Sequence, residues 1–303
     1  MSARASTPSI IRPSSVRSRL RRDRRVWVGL GVLSFISLAA ISASFIAPYN
    51  PNSQLDISHL AGLAPSRAHW FGTDSYSRDV LSRMLFGARV SLSIAFASVA
   101  IAMTFGTMIG VIAGYFGGLI DALLMRFVDA AFSIPPLLFL LVVAALWGDV
   151  GTTSLTLLIA SIAWFAASRL VRTKTLVVRD ADFVVAAHAL GMAPSRILVR
   201  HVLPNVIGPA IVAATLAIGN VILLEAGLSY LGIGVRQPQA SWGSIIQDGS
   251  ERVSDLWWLT FFPGVAILIT VFACNALGDA LRDALDPRQL QVGPDDDTRH
   301  QTA

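Results

Sequence analysis

The 303-residue chain has one cysteine and one lysine, and only 14% of its residues are charged. A single thiol excludes a disulfide framework and a thiolate metal cluster. That residue, Cys274, lies inside an apolar run and reads as packing. A phosphate-cradling loop needs G-x-x-x-x-G-K-[ST], and the sole lysine, Lys174 in VRTKTL, has no glycines before it. The chain is therefore not its own ATP-driven motor. Its five histidines, His59, His69, His188, His201 and His300, form no i, i+3 or i, i+4 pair, which argues against a helical metal site. What the sequence does have is apolar surface. With 54% hydrophobic residues and a mean hydropathy of +0.62, it cannot fold around one water-soluble core and reads as an all-α polytopic membrane protein.

A span needs roughly 20 apolar residues to cross about 30 Å of hydrocarbon. Six segments qualify, at residues 26–47, 90–116, 119–147, 152–171, 206–224 and 258–277. The first follows a tail, 1–25, that carries eight arginines against Asp23 alone, which favours a cytoplasmic N-terminus. Its apolar run exceeds the 7 to 15 residues of a signal-peptide core, so it reads as an uncleaved anchor despite the small-residue SAS at 42–44. Six crossings return residues 282–303 to the same side. Arg169, Arg172, Lys174, Arg179, Arg196 and Arg200 cluster after the fourth span, whereas Arg236 and Arg252 after the fifth are offset by Asp248, Glu251 and Asp255. The charge count thus places the 172–205 connection in the cytoplasm and 48–89 outside.

Within the spans, GTMIGVIAG sets Gly106, Gly110 and Gly114 four residues apart on one helix face, where another backbone can approach closely. Pro135 and Pro136 remove two amide donors from the long third segment and predict a kink. Arg126 and Asp129, at i, i+3, read as an interfacial ion pair. Glu225 and Asp279 follow the apolar cores of their spans and also read as interface residues. In the outer loop, Val80, Leu81, Met84 and Leu85 make one apolar helical face and Asp79 and Arg83 an i, i+4 pair on the other, which suits a helix lying on the membrane surface.

The most unusual stretch is DFVVAAHALGMAPSRILVRHVLPN, residues 182–205, which interrupts the greasy segments with two short basic helices. Asp182 is placed to cap the first, and Gly191 can end it in the left-handed conformation. Ala193-Pro194 restarts a helix that carries Arg196 and Arg200 one turn apart and is expected to stop before Pro204. Such a bend suits a groove in a partner, although its residues alone equally allow a solvated loop.

The blocks FGTDSYSRDVLSRMLFGARVSL, GYFGGLIDALLMRFVDAAFSIP, RHVLPN, LSYLGIG, SWG and LGDALRDALDPR resemble, in order and spacing, the inner-membrane permease subunits of binding-protein-dependent ABC importers of the dipeptide, oligopeptide and nickel branch. The likeness runs from the first span to Arg288. It implies the type I importer transmembrane fold over residues 90–281, with a coupling loop at about 172–205. In that family the loop follows EAA, three residues, Gly, nine residues, Ile, one residue, Leu-Pro. Ala186, Ala187, Gly191, Leu203 and Pro204 match, while Val185 stands for the glutamate and His201 for the isoleucine. The resemblance further implies a heterodimer with a second permease subunit, two cytoplasmic ATP-binding subunits docked on the bends, and an extracytoplasmic substrate-binding protein. No cofactor and no nucleic acid is implied. Peptides are the expected cargo, with nickel, glutathione or another small solute as the alternative. An ion-driven secondary transporter would instead require ionisable residues deep in the spans and inverted repeats, which the sequence lacks. No Ser/His/Asp or paired-carboxylate constellation lies at membrane depth to support an intramembrane hydrolase.

Overall fold

A computed structural model describes residues 20–54, 56–148 and 151–285. The greater part of both the arginine-rich tail and the 282–303 tail lies outside the described residues. Among those described, helices account for the architecture and no strand forms. They are α1 Arg24–Ile41, α2 Ala43–Ile46, α3 Ile57–Leu60, α4 Val80–Phe116, α5 Gly118–Phe132, α6 Pro136–Trp147, α7 Thr152–Arg179, α8 Asp182–Ala189, α9 Pro194–Ile197, α10 Leu203–Tyr230, α11 Trp242–Ser250 and α12 Trp258–Leu285. Five continuous helical stretches are long and apolar enough to span a membrane, and α5 with α6 makes a sixth only as a pair bent by 82°. The bend lies at Pro135 and Pro136, since two successive residues without amide protons cannot continue the helical ladder.

The second span is longer than its apolar run suggests. α4 begins at Val80 and continues for 37 residues, about 55 Å at 1.5 Å per residue, so residues 80–89 are its first turns and not a separate surface helix. Val80 and Met84 are buried. The expected Asp79–Arg83 pair does not form. Asp79 is the N-cap of α4 and accepts from the Ser82 amide at 2.8 Å and the His69 ring at 2.9 Å. Its carboxylate is thus committed to an orphan amide of the first turn. Arg83 reaches instead to Asp74, and to Asp248 of α11 at 2.8 Å.

The Arg126–Asp129 pair is likewise replaced. Asp129 binds Arg169, and Asp121 binds Arg172 through both carboxylate oxygens, so two ion pairs fasten α5 to α7. Two carboxylates about two turns apart face two arginines of an adjacent helix, a geometry that spacing within α5 cannot reveal. Glu225 is not interfacial. Its side chain is fully buried in α10 and accepts hydrogen bonds from Ser91 at 2.9 Å and Ser229 at 2.7 Å, so neighbouring hydroxyls replace the water it has lost.

Around this frame α1 packs on α12, where Gly29 brings the backbones close enough that a Cβ would lie 2.8 Å from the Ala273 carbonyl. Arg89 of α4 donates to the carbonyls of Ala40 at 3.0 Å and Ile41 at 2.8 Å, closing the C-terminal end of α1 with a cation. The main core joins α4, α7, α10, α11 and α12 through Leu92, Ile159, Ile222, Trp242 and Leu259.

Candidate coupling site

The bend is assembled at the end of the bundle where α4 terminates. α8 starts from an N-cap at Ala181 that makes no side-chain bond, and Asp182 is the first helical residue, not the cap. There its charge still complements the positive end of the helix. The other end has a complete Schellman arrangement. The Met192 amide donates to the Ala187 carbonyl at 3.1 Å and the Gly191 amide to His188 at 2.9 Å, with Gly191 at φ +74°.

The chain does not stop before Pro204. From Pro194 it runs as one helical path to Tyr230, through a π-helical turn at Leu198–Val202. Pro204 sits in the first turn of α10, where its missing amide is tolerated, and the wider turn ahead of it relieves the clash a proline ring makes with the preceding turn. Leu203 follows the π turn directly, and Asn205 donates back to the His201 carbonyl at 2.6 Å.

The two faces of the bend differ. Val184, Ala187, Ile197, Val202 and Val206 are buried against Val111 and Tyr115 of α4 and Val171 of α7. On the other side Leu190 is 82% exposed, Val185 56% and Phe183 46%. Ala186 and Asp182 of the same helix are also exposed, as are Arg196 and Arg200 farther along the chain. The matched alanines therefore separate: Ala187 seats the helix and Ala186 faces outward. Two residues not singled out from the sequence complete the site. His188 Nε2 lies 3.0 Å from the Tyr115 hydroxyl, with the rings nearly parallel at 16°. A ring in a small-residue helix, one turn-length from a buried valine, was the available signal, but its partner is 73 residues away.

Behind the bend, the Gly106, Gly110 and Gly114 face of α4 lies directly on α7. A Cβ at Gly106 would sit 2.5 Å from Ala167 Cβ, one at Gly110 2.6 Å from the Ser168 carbonyl, and one at Gly114 2.7 Å from Thr175 Cβ. Only hydrogen fits at these positions, so the backbones approach closely and gain dispersion contact. A groove of about 520 Å³ opens between α4 on one side and the π turn and first half of α10 on the other, lined by Met103, Thr107, Val111, Leu198, Leu203 and Ala210. Among the described residues no group of three or more His, Cys, Asp or Glu side chains is placed to hold a metal ion.

Comparison with known proteins agrees with this architecture. Residues 106–291 match the family described as binding-protein-dependent transport system inner membrane component, and residues 14–65 the N-terminal TM domain of oligopeptide transport permease C. A Brucella suis biovar 1 protein that bears a peptide permease name is 41% identical over 274 residues, 89% of each chain. The dipeptide transport system permease protein DppC of Alkalihalophilus pseudofirmus is 37% identical over 276 residues, 89% of this chain and 88% of that one. An inward-facing structure of the MetNI methionine ABC transporter superimposes with a TM-score of 0.57 at 18% identity, covering 68% of this chain and 98% of the other, and shares the fold. By matched family, relatives and fold together, the chain belongs to the binding-protein-dependent transport system inner membrane components, as a multi-pass permease subunit of an ABC importer.

Proposed function

We propose that this permease forms half of a peptide translocation pathway, that the α8 bend docks on a cytoplasmic ATP-binding subunit, and that both chain termini are cytoplasmic. The observation that carries the reading is the exposure of the apolar Phe183, Val185 and Leu190 on a helix that Val184 and Ala187 seat on the bundle. A helix presenting such residues, in a bend that also exposes Arg196 and Arg200, fits a groove in a partner, by the helix-in-groove mode. Val185 in place of the family glutamate makes that contact apolar instead of charged. Peptide cargo is supported by the names of the relatives.

In the proposed cycle a second permease subunit completes the pathway, and two ATP-binding subunits close on ATP and draw the two bends together. The spans rock outward to receive cargo from the extracytoplasmic binding protein, and hydrolysis returns them inward. Cargo moves without covalent change. The test is uptake of radiolabelled alanyl-alanine into proteoliposomes holding both permease chains and the ATP-binding subunits, with binding protein and ATP supplied. Uptake that requires all of these is expected, and uptake driven by an ion gradient without the ATP-binding subunits would overturn the reading. Cysteines placed at His59, Arg179 and Gln247 and labelled with an impermeant reagent test the orientation. Labelling from outside at positions 59 and 247 but not 179 is expected, and the reverse pattern would invert the topology.

A further inference from the structure

We propose that Tyr115 and His188 form a strut that delivers displacement of the α8 bend to the α4–α7 pair, which makes both of them positioning residues of the transport cycle. The inference rests on the docking role proposed for α8. Among the described residues, the Tyr115 hydroxyl to His188 Nε2 contact at 3.0 Å is the one side-chain hydrogen bond that joins residues 181–202 to another span. Everything else beneath the bend is apolar: Val184, Ala187, Ile197 and Val202. Apolar contacts are non-directional, whereas a hydrogen bond holds a distance and an angle. The strut therefore decides where on α4 a movement of α8 arrives.

What lies at the far side of the strut makes that placement effective. Tyr115 is 7% exposed and is the penultimate residue of α4. The residue before it, Gly114, leaves no room for a Cβ against Thr175 and Arg172, and its carbonyl accepts from Arg179 at 3.3 Å. With Gly110 and Gly106 pressed on α7 in the same way, a push on Tyr115 cannot bend α4 off α7. It moves the two as one body, because a close-packed seam transmits displacement instead of absorbing it. α5 follows, tied to α7 by the Arg172–Asp121 and Arg169–Asp129 pairs. One residue beyond Tyr115 α4 ends, and its C-cap Gly117 and the first residue of α5, Gly118, both have positive φ, so the load enters α4 at its last turn and does not pass along the chain into α5.

The experiment measures substrate carried per ATP hydrolysed, in the complete reconstituted complex, for Tyr115→Phe, His188→Ala and the double variant, at matched amounts of assembled complex. Tyr115→Phe keeps the ring contact and removes only the hydroxyl. Each single variant is expected to lower the ratio about three- to tenfold, the range set by one hydrogen bond, and the double variant should be no worse than either single. His188→Gln, which offers a side-chain amide to the phenol, should restore part of the loss. A wild-type ratio in Tyr115→Phe, or single effects that multiply in the double variant, would overturn the strut. Gly191→Asp run in parallel separates this from the docking reading: if it uncouples while Tyr115→Phe does not, only the strut fails, and if neither uncouples, docking by α8 fails as well.

Discussion

At one end of the bundle Asp74, Arg78, Arg83 and Asp248 lock three chain segments together through ion pairs, while at the other the 181–202 bend rests on an apolar seat with, among the described residues, a single side-chain hydrogen bond to a neighbouring span. The first end is over-determined. Asp74 accepts from Arg78 Nε at 2.6 Å and from the amides of Tyr76 and Arg78 at 2.9 Å each, and Arg78 also reaches Gln237 at 3.0 Å. Buried charges of this kind tolerate little displacement, because moving one leaves another unpaired in low dielectric. The second end has no such penalty. Its apolar contacts are non-directional and leave no charge unpaired when they shift, which suits a part that moves in each cycle. Glu225 extends the rigid end inward, since the hydrogen bond it accepts from Ser91 ties α10 to α4.

Removing Asp74 should break this contrast most severely. Asp74→Ala leaves Arg78 and Arg83 buried without their shared carboxylate and is expected to cost about 3–5 kcal/mol, read as loss of folded protein in a detergent melt. A melt matching the wild type would show that the ion pairs do not hold this end. Next comes Gly110→Leu. Even a Cβ would lie 2.6 Å from the Ser168 carbonyl, so overpacking should cost at least about 1–3 kcal/mol and reduce intact complex on native gels. Wild-type levels would remove the seam as a rigid element.

Gly191→Asp should cost less, on the order of 1–2 kcal/mol locally, since it places a Cβ in the left-handed region and a negative charge at a helix C-terminus. Its melt should remain near the wild type while uptake falls. A collapse of the melt would mean that the bend is structural and not a moving part. The smallest effect belongs to Asp23, whose carboxyl is held below its ordinary value of 3.8 chiefly by its side-chain hydrogen bonds with Arg25. A depressed folded pKa contributes stability above the ordinary value and loses it as pH falls through the lowered one. Asp23→Asn should therefore differ slightly from the wild type at neutral pH and converge with it in acid, as read by proteolytic release of α1. Divergence on acidification would reverse the assignment.

Much of this molecule is legible without coordinates because its features are local. Apolar run length marks the spans, the Pro135-Pro136 step breaks the third, and Gly191 ends α8, each through chemistry confined to a few adjacent residues. The glycine spacing in α4 likewise predicts a close approach, though not that α7 makes it. Pro204 misled for a comparable reason: its local preference to end a helix was overridden by a π turn that preserves the path into α10.

The sequence by itself determined the helical class, the number of apolar segments, the break in the third and the position of the bend, since hydrophobic transfer and backbone sterics act residue by residue along the chain. Only the tertiary structure decided the partners. Asp129 turns to Arg169 instead of Arg126, Arg83 to Asp74 and Asp248 instead of Asp79, Glu225 inward to serines, and His188 to Tyr115. Side-chain polar groups follow distance and desolvation in space, and helices packed side by side bring together residues that the chain keeps dozens of positions apart.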